Sequence, residues 1–190
     1  MKEILLSICI PTYNRAHYLK KCLDSIVVQF DNETVKNSVE VVISDNASPD
    51  NTKELTQSYQ SRFNNIKYFR NHDNLGMDEN IINSVLKANG KYCWHIGDDD
   101  LIQNGAIELI LTILSKEEIA LLTVNIYPFI DIKKASEKKY FNSNDSIEYM
   151  NSAEELLLSK YNTGALGVHI FNRGLWLTVD KKQYEKLWAC

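Results

Sequence analysis

Neither a G-x-G-x-x-G run nor a G-x-x-x-x-G-K run occurs in the 190 residues, so the backbone cradles of dinucleotide-binding and P-loop proteins are missing. That excludes NAD-dependent dehydrogenases and P-loop enzymes, and any phosphate charge must be met in another way. Massed positive charge is missing too. The net charge is −4, which argues against non-specific nucleic-acid binding, since that depends on clustered Lys and Arg. The one basic stretch, Lys133 to Lys139, reads as a solvated loop. Four cysteines, Cys9, Cys22, Cys93 and Cys190, show no metal or redox spacing. Cys9 and Cys93 fall in apolar runs, where cysteine behaves as a small buried hydrophobe, and reduced thiols fit a cytosolic protein. No apolar stretch is long enough to span a membrane. Met1-Lys2-Glu3 leads straight into a strand with no cleavage site, so no signal peptide is expected.

What is present suits one domain of ordinary size, with 44% hydrophobic and 24% charged residues, enough to bury a real core. Apolar strand-like runs alternate with helical patterns. Ile4 to Ile10 is nearly continuous and reads as a strand covered on both faces, ended by Pro11. Tyr18, Leu19, Cys22, Leu23, Ile26 and Val27 recur at helical spacing, with Asn14 placed to cap. Val39 to Ile43 is a second strand. Ser48-Pro49 reads as cap and first position of a helix carrying Leu55, Tyr59 and Phe63.

Ile66 to Phe69 is a third strand, followed by a helix with Ile81, Ile82, Val85 and Leu86 on one face. Tyr92 to Ile96 is a fourth strand. A helix from Ala106 to Leu114 and a strand from Ile119 to Tyr127 follow. Residues 128–150 read as a polar hairpin or loop, Ser152 to Glu155 as a capping box, and Ala165 to Phe171 as a last strand. The alternation predicts an α/β domain with a mostly parallel sheet and helices on both faces, and no linker splits it. In such sheets ligands sit beyond the carboxyl ends of the strands. Those ends deliver Pro11-Thr12-Tyr13, Ser44-Asp45-Asn46 and Gly97-Asp98-Asp99-Asp100 to one edge.

Three adjacent carboxylates repel one another, and gathering them at a strand end calls for a cation. Hard cations such as Mg2+ or Mn2+ prefer carboxylate oxygens and keep positions open for phosphate. The alternative is a solvated acidic turn. The absence of a glycine-rich cradle favours a metal-bridged diphosphate. Asp45 is placed to accept from a base N–H or a ribose hydroxyl, or else to serve as a turn aspartate. Thr12 and Tyr13 offer a hydroxyl and a ring near the base, and Gly97 lets backbone approach a ligand. His95 is read as a packed residue, His17 and His72 as surface residues, and His169 as a secondary candidate for substrate contact.

Ser7 to Arg15 resembles the opening strand and loop of glycosyltransferase family 2, the inverting enzymes of GT-A fold. Val41 to Asp50 resembles that family's second motif, Asn74-Leu75-Gly76-Met77 its N-x-G segment, and Gly97 to Asp100 its D-x-D region. The form Trp94 to Asp100 most resembles the abequosyltransferase-like branch, which builds bacterial surface polysaccharides. The resemblance covers residues 4 to about 127. It implies a donor-binding core over 1–127 and a partial acceptor-side region over 128–190. The donor nucleotide would be bound by Pro11, Thr12, Tyr13, Arg15, Asp45, Asn74, Gly76 and Asp98, and Mn2+ or Mg2+ by Asp99 with Asp100 in support. A one-residue shift would instead make Asp98 and Asp100 the metal pair, and the sequence leaves both registers open.

The implied reaction moves a sugar from a nucleoside-diphosphate donor to a saccharide or lipid-linked acceptor, in the cytoplasm with peripheral association at the inner membrane face. The family's general base is acidic, usually in a Glu-Asp pair, and no such pair appears before Cys190. Asp180 and Glu185 do not match it, so no catalytic base is assigned. Two other classes stand beside the transferase. One is a truncated donor-binding module with little activity. The other is a nucleotidyltransferase, which would need a basic glycine-rich loop where Pro11 to Arg15 stands.

Overall fold

The computed structural model describes residues 3–124 and 167–179. Among the described residues, six strands form one sheet in the order β3-β2-β1-β4-β6-β5. β1 (Leu6–Thr12) and β2 (Val39–Asp45) occupy its middle and are buried almost throughout, as continuous apolar runs in a two-sided sheet should be. β1 lies parallel to β2 and to β4 (Tyr92–His95), and β3 (Ile66–Arg70) lies parallel to β2. β6 (His169–Asn172) then runs antiparallel between β4 and β5 (Leu121–Thr123). The expected mostly parallel sheet is present, with this one reversed strand inserted.

Alternate residues of the strands build two cores. Leu6, Ile8 and Ile10 of β1 meet Leu19, Cys22, Leu23 and Ile26 of α1 (Ala16–Val27), together with Ile107, Ile110, Leu111 and Leu114 of α5 (Ala106–Leu114). On the opposite face Cys9, Val42 and Cys93 pack with Val85 of α4 (Met77–Leu86) and with Ala88. Trp176 of α6 (Arg173–Thr178) closes that side. Cys9 and Cys93 are buried as expected, and Cys22 joins them on α1; burial pushes the Cys9 and Cys22 thiols well above the usual range.

Several local expectations are corrected. Asn14 does not cap α1. Its φ of 55° places it in the left-handed region, which Asn tolerates, and Arg15 is the cap residue. The first amide of α1 is instead capped from another loop, by Asp50 Oδ2 accepting from Ala16 N at 2.9 Å. Ser48-Pro49 does not start α3 either, because Ser48 Oγ is drawn away to accept from Asn14 N at 2.9 Å. α3 (Thr52–Gln60) begins later, with Asp50 Oδ1 accepting from Thr52 Oγ1 at 2.6 Å and Thr52 N at 3.2 Å. These bonds clamp the loop after β1 to the loop after β2.

α4 buries Asn80, Ser84 and Val85 and leaves Leu86 exposed, because its inner face bonds to strand ends as well as packing on them. A 3-10 turn (Val28–Asp31) and α2 (Glu33–Ser38) lie where no element was expected, α2 being capped by Asn32 Oδ1 accepting from Thr34 N at 2.9 Å. β1 starts and ends two residues later than expected, and the last strand is His169–Asn172 where Ala165 to Phe171 was read. The readings for 125–166, and for Asp180, Glu185 and Cys190, lie outside the described residues.

Candidate functional site

The carboxyl ends of β1, β2, β3 and β4 meet along one edge, since all four strands run in the same direction. At the first of these ends Thr12 Oγ1 donates to Asp98 Oδ2 at 2.7 Å, tying β1 to the segment after β4. Asp98 is nearly closed off, with 6% of its side chain exposed, whereas Asp99 is 49% exposed. Burial raises the Asp98 carboxyl above its ordinary range; the Thr12 hydroxyl and Arg15 oppose the rise, and Asp99 and Asp100 add to it. Burial raises Asp100 in the same way, against the Gly97 N–H that donates to its Oδ2 at 2.8 Å.

The triplet carries its own counter-ion. Arg15 reaches from the start of α1 with Nη2 2.6 Å from Asp99 Oδ2 and Nε 3.3 Å from Asp98 Oδ1. Its guanidinium also lies 4.7 Å from the centre of the Tyr18 ring.

The three carboxylates do not converge on one point. Among the described residues, no group of three or more acidic, His or Cys side chains is placed to hold a metal. Two of the three place an oxygen in the space a side chain at Gly97 would fill. A Cβ built there would lie 2.8 Å from Asp99 Oδ1 and 3.1 Å from Asp100 Oδ2. Gly167, at a φ of 91°, leaves room for the same Asp100 oxygen, 3.0 Å from the place its own Cβ would take. Hard carboxylate oxygens around the space above Gly97, with the Asp99 side chain half open to solvent, suit a divalent cation that keeps positions for phosphate. Asp98 is held by Thr12 and Arg15, Asp99 by Arg15, and Asp100 by the Gly97 N–H.

Asp45 ends β2 with no exposed side-chain surface. Its Oδ1 accepts from Ser48 N at 2.8 Å, and its Oδ2 accepts from Tyr68 Oη at 2.5 Å and Arg70 Nη1 at 2.7 Å. Burial and the Asp45 bond push the Tyr68 phenol up to about 12. Asp45 therefore presents Arg70, which is 38% exposed, to the edge and does not present itself. Sequence reasoning missed Tyr68 and Arg70, although both lie at the carboxyl end of a parallel strand, where the rule used for the other strands applies.

Pro11 and Thr12 finish β1, and Tyr13 is exposed beyond them. Asn74 and Gly76 belong to a loop fastened by Asn46. Asn46 Nδ2 donates to Asn74 Oδ1 at 2.7 Å and to the Gly76 carbonyl at 2.9 Å, and its Oδ1 accepts from Leu75 N at 2.9 Å. Asn80 completes the tie through the Ser44 carbonyl at 2.9 Å. Gly76 has a φ of 87°, a conformation that disfavours any side chain there. His95 ends β4 and is packed, its ring 5.3 Å from that of Phe171. His17 and His72 are exposed, as expected. His169 Nδ1 lies 3.4 Å from Thr123 Oγ1 on the neighbouring strand.

A mostly parallel sheet with acceptors, an exposed arginine and carboxylates gathered at its carboxyl edge defines an α/β protein with the ligand edge usual for such sheets. The sequence pattern of Glycosyl transferase family 2 matches residues 7–176, and the chain belongs to that family. It is 43% identical over 115 residues to the abequosyltransferase RfbV of Salmonella typhimurium, covering 60% of this chain and 34% of that protein. TarS of S. aureus, residues 1–349, superposes with a TM-score of 0.69 at 19% identity, covering 92% of this chain and 48% of TarS. TarS has also been solved with UDP. The mannosyltransferase PcManGT of Pyrobaculum calidifontis, solved with GDP-Man and Mn2+, gives a TM-score of 0.54 at 19% identity over 65% of this chain and 36% of that one. These structures share the GT-A fold with the chain. The chain spans about a third of the curated relative and at most half of the solved chains. No helix among the described residues is long and apolar enough to cross a membrane.

Proposed function

We propose that this chain binds a nucleoside-diphosphate sugar, with a divalent cation, as the donor half of an inverting glycosyltransferase that acts in bacterial surface-polysaccharide synthesis. The observation that carries the reading is the placement of Asp99 and Asp100 oxygens around the space above Gly97, with Asp98 and Arg70 on the same sheet edge. Arg70, fixed by Asp45, faces the base, and Thr12 with Tyr13 walls the same end. Asp98, held by Thr12, accepts from the ribose. The Asn74–Gly76 loop borders the donor. Asp99 and Asp100 would hold Mn2+ or Mg2+, which would offset charge on the departing diphosphate. Residues 1–127 then form the donor core and 128–190 the acceptor side, where a saccharide or lipid-linked hydroxyl would attack the anomeric carbon. Work on a lipid-linked acceptor would place the protein at the inner face of the cytoplasmic membrane.

A second reading is a donor-binding module with little transfer. It is motivated by Asp180 and Glu185, the acidic residues that follow β6 and α6 in the sequence, neither of which matches the family's Glu-Asp base motif. A missing general base typically lowers the rate about 10²–10⁴-fold and leaves donor binding near normal. Donor affinity, donor hydrolysis and transfer to an oligosaccharide acceptor are measured together. Transfer at about 1 per second or faster supports the enzyme reading and makes Asp180 and Glu185 the first residues to mutate. Tight donor binding with hydrolysis alone supports the module. Failure to bind any nucleoside-diphosphate sugar overturns both.

A further inference from the structure

Arg15 occupies the solvent-facing part of the acidic triplet. Its Nη2 lies 2.6 Å from Asp99 Oδ2, its Nε lies 3.3 Å from Asp98 Oδ1, and the Tyr18 ring supports the guanidinium from 4.7 Å. The Asp99 oxygen it holds belongs to the carboxylate whose other oxygen, with Asp100 Oδ2, borders the space above Gly97. A guanidinium and a divalent cation on one carboxylate repel each other over a few ångströms, and part of this contact is open to water, so neither binds as tightly with the other in place. Arg15 also has somewhere to go. Its side chain is 42% exposed and springs from the cap residue of α1, so it can swing without disturbing the backbone.

We infer that Arg15 is the site's internal counter-cation, holding Asp98 and Asp99 together while no metal is bound and competing with the divalent cation for Asp99. The inference rests on the proposed metal role of Asp99. The device keeps an acidic edge ordered before cation binding. It also couples metal affinity to whatever draws Arg15 away, and the phosphate oxygens of a donor are the natural new partner for a released guanidinium.

The test is direct titration with Mn2+ alone, followed by electron paramagnetic resonance, on the wild-type chain, Arg15→Met, Arg15→Lys and Lys20→Met. Lys20 lies on the same helix but pairs with Asp24, so Lys20→Met removes the same charge without touching the triplet. Arg15→Met is expected to bind Mn2+ about tenfold more tightly than wild type, Arg15→Lys to fall between them, and Lys20→Met to match wild type. In the wild type the Nε–Hε proton resonance of Arg15 should move on adding Mg2+. Equal or weaker Mn2+ binding by both Arg15 variants overturns the inference and leaves the metal reading standing. So does an equal gain in Lys20→Met, which would show net charge alone at work. No Mn2+ binding by any of the four at millimolar concentration overturns the inference and the metal reading together. Should Arg15→Met fail to fold, Arg15→Lys and the Arg15 resonance decide.

Discussion

Asp45 and Arg70 form a pair in which only one partner can be touched: Nη1 of Arg70 lies 2.7 Å from Asp45 Oδ2, the aspartate is sealed, and the arginine is 38% exposed. In the proposed function, the aspartate would act on the ligand through the cation it orients. If so, Asp45→Asn and Arg70→Met should each weaken nucleoside-diphosphate binding about ten- to a hundredfold, and the double variant should be no weaker than the worse single. Isothermal titration of the four proteins measures this coupling. Fully additive losses would mean that Asp45 contacts the ligand itself.

Gly97→Ala separates the site from the fold. The new Cβ would meet Asp99 Oδ1 at 2.8 Å and Asp100 Oδ2 at 3.1 Å, and both are side-chain oxygens. Asp99 is exposed and can give way, so chemical unfolding should change by less than about 1 kcal/mol. The metal-dependent part of nucleotide binding should fall sharply, because the new methyl group fills the space that the two carboxylates border. Unchanged metal dependence would show that their placement around Gly97 is incidental.

Asp50 holds two helix starts at once, through Ala16 N, Thr52 N and Thr52 Oγ1. Asp50→Ala should cost about 1–2 kcal/mol in urea unfolding, in the range of a lost N-cap. Asp50→Asn should recover part of this. A loss within experimental error in both variants would remove Asp50 as the clamp between the two loops.

His95 gives the chain an acid-sensitive term. Burial lowers its imidazole to about 4, with the Ile81 backbone acting weakly in the other direction, and Nε2 is buried without a partner. The unfolded side chain titrates near its ordinary value of about 6.5. Above that pH both states are neutral and His95 contributes no pH dependence. As pH falls from about 6.5 to about 4 the unfolded state takes up the proton first, so stability declines by at most about 3 kcal/mol. Urea unfolding of His95→Leu across this window should show a shallower decline than wild type. Parallel curves would contradict the assignment.

The strand ends were legible in the sequence because parallel strands deliver their last residues to one edge, so Thr12, Asp45 and the triplet could be placed from alternation alone. β6 could be read as a strand, but its direction could not. Reversal depends on pairing with Tyr92, Cys93 and Trp94, more than 70 residues away, and no local propensity encodes that. Asn14 and Ser48 are good cap residues by composition, yet the loop clamp recruits them for each other. Arg15 as counter-ion was hidden for the same reason, since the contact with Asp99 joins residues 84 apart.

The central claim is that the carboxylates at the end of β4 bind a diphosphate through a divalent cation. Thermal unfolding of wild type and Asp99→Ala with UDP, CDP, GDP and dTDP sugars, each with and without Mn2+, tests it most directly, since any donor bound by the folded state raises the midpoint by mass action. At least one donor should stabilise the wild type more with Mn2+ than without. Asp99→Ala, folded and with its midpoint in the absence of ligand little changed, should lose that metal increment. An Asp99→Ala protein that keeps the full increment, or a wild type that no donor stabilises under either condition, would contradict the claim.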